Sequence, residues 1–389
     1  MKLIKDKWEI RDITSVVDVV NGSTPKGIEL VNGKGIYPFL RVSDMNIEGN
    51  DVYIKNYNIA LTEEEIKKYK IKLYPKGTII FPKRGASIHT NKKRILVVDS
   101  GIDLNTMGFI SNKQINPDFL YTWFQTINLS SISDGSYIPQ INNRNIIGLK
   151  IPVPPLEEQI QIASLFQSIE KAMEQVDWQE KKLKTLQLTL ITGLLSTEPV
   201  FGNLLNSNNC KLTTFGEIAE CDKKYPEHSN ETTRFIGLEN IESGNFQLQG
   251  WGDTANGTTF TKRFTKGDIL FGKRRAYLKK VAIADFEGVC SGDILVIRAK
   301  HKKILQELLP FYISSDAFMQ HAVSTSAGSL SPRTKWKDLS ELEVSIPDLK
   351  IQEKILEILQ QIETTVSQLK QQKLTLKNLK QKLLDDILG

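Results

Sequence analysis

Two short basic stretches, with the polar stretches that accompany them, hold the residues of this sequence best suited to chemistry. The first reads Pro82-Lys83-Arg84-Gly85-Ala86-Ser87-Ile88-His89, and the second Gly272-Lys273-Arg274-Arg275. Lysine neutralises phosphate, arginine pairs with a guanine edge through two parallel N–H donors, and Asn or Gln matches adenine. The polar stretches suit base readout. One runs over 134–144 and supplies Tyr137, Gln140, Asn142 and Arg144; the other runs over 329–335 and supplies Ser329, Arg333 and Lys335. Taken singly, each of these residues reads as well as a solvated surface side chain. Recurrence at equivalent places argues for a shared task, and the set Lys83, Arg84, Ser87, Tyr137, Gln140, Asn142, Arg144, Lys273, Arg274, Arg275, Ser329, Arg333 and Lys335 is expected to contact DNA.

Other chemistries fit less well. Gly267 to Lys273 matches GxxxxGK, but Arg274 follows in place of Ser or Thr, Asp268-Ile269-Leu270-Phe271 reads as strand, and the first copy has Pro82 where Gly272 stands. Pro347-Asp348 followed by Lys350 lacks the second carboxylate of a nuclease site, so Asp348 is expected to cap a helix. His89 has no acidic or serine partner identifiable in the sequence. Cys210, Cys221 and Cys290 show no CxxC spacing, and with four histidines a zinc site or structural disulfide is not expected. The chain reads as non-catalytic, with no cofactor or metal of its own.

The elements that position these loops recur as well. Gly77-Thr78-Ile79-Ile80-Phe81 and Ile95-Leu96-Val97-Val98 read as strands flanking the first basic loop, and Thr62 opens a short helix. Phe39-Leu40-Arg41-Val42-Ser43-Asp44-Met45 is echoed by Phe235-Ile236-Gly237-Leu238-Glu239-Asn240-Ile241. Lys76 to Arg84 is echoed by Lys266 to Arg274, and Gly135-Ser136 by Gly328-Ser329. The chain is a tandem duplication of a mixed α+β globular domain followed by a long helix.

Each helix carries a heptad seam. Ile162, Phe166, Ile169, Met173, Val176, Leu183, Leu190 and Leu194 fall at alternating four- and three-residue steps, with Glu180 and Gln187 in the remaining places. The C-terminal seam is Ile355, Leu359, Ile362, Val366, Leu369, Leu376, Leu383 and Ile387, with Lys373 and Lys380 in the gaps. All positions match at one constant offset. A helix of roughly 40 residues is about 60 Å long and needs a partner, so the two are expected to pair antiparallel within the chain. Full overlap would put Ile162 near Ile387 and bring Glu180 close to Lys373 as a register-setting ion pair. The expected boundaries are residues 1–151 for the first domain, 152–197 for the central helix, 198–347 for a linker with the second domain, and 348–389 for the last helix.

At 389 residues the chain is long enough for more than one domain, and its formal charge of +6 favours a polyanionic partner without establishing one. No stretch approaches the length of a membrane span, and the N-terminus has no apolar run after its charges, so the protein is read as cytoplasmic. A structural coiled-coil adaptor with protein-binding end domains and an RNA-binding module with a coiled-coil arm remain open on these grounds.

The order of segments, with Ile151-Pro152-Val153-Pro154-Pro155-Leu156-Glu157-Glu158-Gln159-Ile160 leading into a long helix, resembles the specificity subunits of Type I restriction-modification systems. The resemblance covers nearly the whole chain and includes the Lys266-Gly267-Asp268-Ile269-Leu270 strand. It implies two target-recognition domains, each reading half of a bipartite double-stranded DNA site, and a helix pair that spaces them and docks two modification subunits. S-adenosylmethionine would then sit in those partners, and ATP with Mg in the partner subunits of the full complex, which adds restriction subunits. The second helix start departs from the pattern: Ile346-Pro347-Asp348-Leu349 lacks the double proline, and Gln352-Glu353 inverts the Glu-Gln order.

Overall fold

The structure, a computed structural model, describes residues 5–28, 33–195, 210–222 and 233–389. The expected helix stop at Ser196, Pro199 and Gly202 and the expected linker at Asn206 to Asn209 lie outside the described residues, as does the side chain of Leu194. Packing divides the chain into two units, Met1–Val176 with Gln372–Gly389, and Asp177–Gln371.

The first unit contains β1 (Glu9–Asp12), β2 (Val17–Asn21), β3 (Tyr37–Leu40), β4 (Tyr53–Ile54), β5 (Ala60–Leu61), α1 (Glu63–Tyr69), β6 (Ile79–Pro82), β7 (Arg94–Leu96), β8 (Gly101–Ile102), β9 (Thr106–Ser111), α2 (Pro117–Phe124), α3 (Asn143–Ile146), β10 (Lys150–Val153) and the start of α4 (Leu156–Leu195). The second contains β11 (Cys210–Thr214), α5 (Phe215–Ile218), β12 (Ala219–Cys221), β13 (Arg234–Ile236), β14 (Gly252–Asp253), β15 (Lys262–Phe264), β16 (Ile269–Gly272), β17 (Val281–Ile283), β18 (Gly288–Cys290), β19 (Ile294–Ala299), α6 (Leu309–Ser314), α7 (Asp316–Ser324), α8 (Trp336–Ser340), β20 (Glu343–Pro347) and the start of α9 (Leu349–Leu388).

The duplication read in the sequence is present in the topology. One sheet runs β2-β9-β6-β7-β4 and its counterpart β12-β19-β16-β17; a smaller sheet runs β5-β3-β8 and its counterpart β14-β13-β18-β15. Each small sheet holds one parallel pair, Phe39 opposite Gly101 and Phe235 opposite Val289. The strand before each basic loop is buried on both faces, which explains its unbroken apolar run. Ile79 and Phe81 enter one core and Ile80 another; Ile269 and Phe271 enter one core and Leu270 another. Thr62 caps α1 by accepting from the Glu65 amide, with Glu65 answering the Thr62 amide at 2.8 Å.

A buried glutamine ties each globular part to its helix. Gln159 donates to the carbonyls of Pro154 (2.9 Å) and Gln114 (3.1 Å) and accepts from the Asn116 amide (2.8 Å). Gln352 donates to Pro347 (2.9 Å) and Lys303 (3.1 Å) and accepts from Leu305 (2.9 Å). The apparent inversion at Gln352-Glu353 is therefore corrected: Gln352 stands where Gln159 stands and makes the same bonds. What changed is the acidic neighbour. Asp348 caps its helix by accepting from the Ile351 amide at 3.0 Å.

Within the first unit Ile162, Ala163 and Phe166 of α4 share a core with Leu384, Ile387 and Leu388 of α9. Within the second, Ile191 shares a core with Ile355 and Leu359. Ile169 and Val176 are buried, as are Ile362, Val366 and Leu369, while Met173, Glu180, Leu183, Lys373 and Leu376 are half-buried. In the first unit Lys380 meets Glu170 across the helix pair, and in the second Gln187 meets Glu363 (3.5 Å). Within the first unit, Ile162 to Glu170 of α4 meet Leu388 back to Lys380 of α9, and within the second, Gln187 and Ile191 meet Glu363 and then Leu359 and Ile355, so the paired segments run antiparallel in each unit. Glu180 forms an ion pair with Lys184 on its own helix (2.6 Å).

Candidate nucleic-acid interface

In the first unit, β6 ends at Pro82 and the chain turns through Lys83, Arg84 and Gly85 into a short 3-10 turn, Ala86–Thr90. Gly85 has φ +76°, a conformation that favours glycine. Three backbone hydrogen bonds fix this turn. Lys83 N–H donates to Asn105 O (2.8 Å), Gly85 N–H to Pro139 O (2.8 Å), and Ile141 N–H to Lys83 O (2.8 Å). The last two dock the basic loop on the polar one, so the two stretches singled out in the sequence form one surface.

The second unit repeats the arrangement bond for bond. Lys273 N–H donates to Asp293 O (2.9 Å), Arg275 N–H to Pro332 O (2.8 Å), and Thr334 N–H to Lys273 O (3.1 Å). Arg275 takes the place of Gly85 and keeps its positive φ, 54°. For a non-glycine residue that backbone costs about 1 kcal/mol or more, so the conformation is imposed by the loop and not by the residue. The middle of the GxxxxGK match at Gly267 to Lys273 is the strand β16, paired on both sides.

The side chains differ between the two surfaces. In the first, Lys83 Nζ donates to Asn21 Oδ1 (3.0 Å) and Asn21 Nδ2 to Asn143 Oδ1 (3.0 Å). Burial pulls the Lys83 ammonium below the ordinary lysine value, and the Asp103 carboxylate works in the opposite direction. Ser87 is turned back onto Arg84 O (2.9 Å), and Asn142 N–H is capped by Asn145 Oδ1 (2.8 Å) at the start of α3. Arg84, Tyr137, Asn142 and Arg144 are exposed, and Gln140 is half-buried. His89 is exposed, with Nδ1 3.0 Å from Ser130 Oγ.

The second surface is organised by a carboxylate. Arg333 Nε and Nη2 bond the two oxygens of Asp293 (2.7 and 3.2 Å), and Arg274 Nη1 lies 3.5 Å from the same group. Those hydrogen bonds from Arg333 hold the Asp293 carboxyl below its usual range, with the charges of Arg333, Arg274 and Lys273 adding to the effect. Arg274 Nη2 donates to Ser331 Oγ (3.1 Å), and its Nε is buried without a partner among the described residues. Arg333 Nη1 also donates to Ser331 O (3.3 Å), so the carboxylate and the loop carbonyl together fix the plane of this exposed guanidinium. Arg275, Ser329, Arg333 and Lys335 are exposed; Lys273 and Arg274 are half-buried.

The structure thus gathers Lys83, Arg84, Ser87, Tyr137, Gln140, Asn142 and Arg144 around one pair of loops, and Lys273, Arg274, Arg275, Ser329, Arg333 and Lys335 around the other. Sequence reasoning missed Asn21, Asn143 and Asp293. Asn143 was legible beside Asn142. Asn21 and Asp293 are brought in by the sheet, 62 residues from Lys83 and 40 from Arg333 respectively, which no local pattern signals. Among the described residues no cluster of His, Cys, Asp and Glu could hold a metal ion, and no helix is long and apolar enough to cross a membrane.

Comparison with known proteins follows the duplication. The chain is 27% identical to the Type I restriction enzyme EcoDI specificity subunit of Escherichia coli over 64% of its own length and 63% of that subunit, a little under two thirds of the relative. It is 22% identical to the Type I restriction enzyme MjaVIII specificity subunit of Methanocaldococcus jannaschii over 99% of its own length and 93% of that chain. Its fold matches the crystal structure of a Type I restriction-modification S subunit from M. genitalium with a TM-score of 0.58 at 16% identity, covering 100% of this chain and 98% of the other. Residues 5–185 and 207–378 each match the pattern of the Type I restriction modification DNA specificity domain, and the chain belongs to that family.

Proposed function

We propose that this chain is the DNA-recognition subunit of a Type I restriction-modification complex, each globular domain reading one half of a bipartite duplex target. The reading rests on the duplicated interface: a basic loop docked on a polar loop by two equivalent backbone hydrogen bonds, present once per domain. Arginine and lysine on the basic loop supply sequence-independent affinity for phosphate, and arginine, Asn and Gln on the paired loops supply base discrimination. The amide-rich first surface favours adenine contacts and the Asp293-held arginines of the second favour guanine, so the two half-sites differ.

The helix pair serves as spacer and as docking surface for two modification subunits. Trp178, 61% exposed on α4 with Lys182 Nζ 5.3 Å from its ring centroid, is a candidate anchor for one of them. Catalysis belongs to the partners: S-adenosylmethionine is bound by the modification subunits, and restriction subunits use ATP and Mg. The complex works in the cytoplasm.

Selection of bound duplexes from a random library by the full chain with its modification subunits tests this reading. A two-part sequence with an unspecified gap of fixed length, bound with an affinity that falls steeply as salt rises, is the expected result. A single continuous motif, a preference for single-stranded RNA, or binding indifferent to salt would overturn it.

A further inference from the structure

Among the described residues the two most exposed large apolar side chains are Tyr137, at 103%, and Leu330, at 88%. Single exposed apolar residues are ordinary on a protein surface. These two are not independent. They stand 193 residues apart, the offset that relates Gln159 to Gln352 and Ile162 to Ile355, so each occupies the same place in its own domain.

Each sits at the middle of a seven-residue loop whose base is closed. In the first domain Asp134 N–H donates to Gln140 O (2.9 Å), while Asp134 Oδ1 accepts from Gln140 N–H (3.0 Å) and from the hydroxyl of Ser136 (2.8 Å). In the second, Ala327 N–H donates to Arg333 O (3.0 Å) and Arg333 N–H to Ala327 O (2.9 Å). The neck of each loop pairs with the basic loop, Arg84 opposite Gln140 and Arg274 opposite Arg333. The apolar tip is therefore displayed on a braced turn directly beside the cationic surface.

From this we propose that Tyr137 and Leu330 are apolar wedges, each entering the base stack of duplex DNA within its own half-site and partly unstacking one step. The inference rests on the recognition reading above and adds DNA deformation to it. A polyanion draws the cations to phosphate, and the neighbouring apolar tip can then leave water only by entering the groove and the stack. A tyrosine ring and a leucine side chain share little except apolar bulk, which is what a wedge needs and what a specific hydrogen bond does not. The step entered should be pyrimidine–purine, the easiest to unstack, so a TA or CA step at a fixed position in each half-site is expected even where no polar side chain reads it.

The test uses the full-length chain alone on duplexes carrying its own selected target, with 2-aminopurine placed in turn at each half-site position. Partner subunits are omitted so that any unstacking belongs to this chain. The expected result is a fluorescence rise at one step in each half-site. Tyr137→Ala should abolish the rise in the first half-site only, Leu330→Ala in the second only, each weakening binding on the order of tenfold. Tyr137→Phe and Leu330→Met should keep both signals. Tight sequence-specific binding with no fluorescence rise, or a rise that survives both alanine variants, overturns the wedge and leaves recognition standing. Alanine variants that leave the DNA signals intact but fail to capture modification subunits would make the tips protein contacts, and also overturn it. A wild-type chain that binds no duplex would remove the recognition reading and this inference with it.

Discussion

Replacing Gln159 by Leu removes three hydrogen bonds without opening a large cavity, because leucine has a similar volume. The side chain is 1% exposed, and the substitution strands the Asn116 amide and the carbonyls of Gln114 and Pro154 in a buried place. An unsatisfied buried polar group costs about 1–3 kcal/mol, so three of them cost roughly 3 kcal/mol at the low end. Asn116 is also the N-cap of α2, accepting from the amides of Asp118 and Phe119, so the loss loosens the start of that helix. With two packed units the unfolding of the whole chain need not be two-state, and a local readout is better. Hydrogen exchange at the Asn116 amide should accelerate by roughly a hundredfold, the equivalent of about 3 kcal/mol. Gln352→Leu should do the same at the Leu305 amide, leaving Asn116 protected. Unchanged exchange at Asn116 in Gln159→Leu, or equal acceleration at both amides in either variant, would refute the claim that these glutamines lock their own units.

Three further outcomes follow from the same physical picture. Asp293→Ala should relax base discrimination in the second half-site by about 1–3 kcal/mol, measured by competition among single-base variants, with the first half-site unchanged; loss in both would place Asp293 in a general structural role. Lys93 is 1% exposed, and burial, with the charge of Lys380 second, lowers its pKa from 10.5 to about 7. Between those values the unfolded chain binds more protons than the folded one, so stability should rise with pH across that window; Lys93→Met should flatten the rise seen by urea denaturation, and an unchanged slope would contradict it. Burial raises the Glu363 carboxyl above its ordinary 4.5, opposed by Gln187, whereas its counterpart Glu170 faces Lys380. Gln187→Lys should therefore stabilise the second unit by about 1 kcal/mol at neutral pH, with the gain disappearing as acid protonates Glu363, and equal stability of the two proteins at pH 7 would contradict it.

Much of the fold was legible because it is written twice. The offset between heptad seams, the repeated strand before each basic loop and the Thr62 cap all rest on local patterns whose physical cause lies within a few residues. The rest was not legible, for reasons that differ from place to place. The order Gln352-Glu353 misled because adjacent letters were compared, whereas the buried position, one per repeat, is what the fold requires. In the candidate interface the charged residues were visible, but the groups that hold them, Asn21 and Asp293, are assembled by β-pairing over long sequence separations. The helix α2 was also missed, although Asn116-Pro117-Asp118 carries its cap and first-turn proline.

On the proposed function, two domains of one chain each read their own half of a split target. Methylome sequencing of a host expressing this chain with its modification subunits, and then the same chain carrying Arg274→Ala with Arg275→Ala, tests it most directly. The expected result is a new methylated motif of two defined parts separated by a fixed unspecified gap, with only one part relaxed in the variant. A motif without a gap, or a variant that relaxes both parts together, would contradict it.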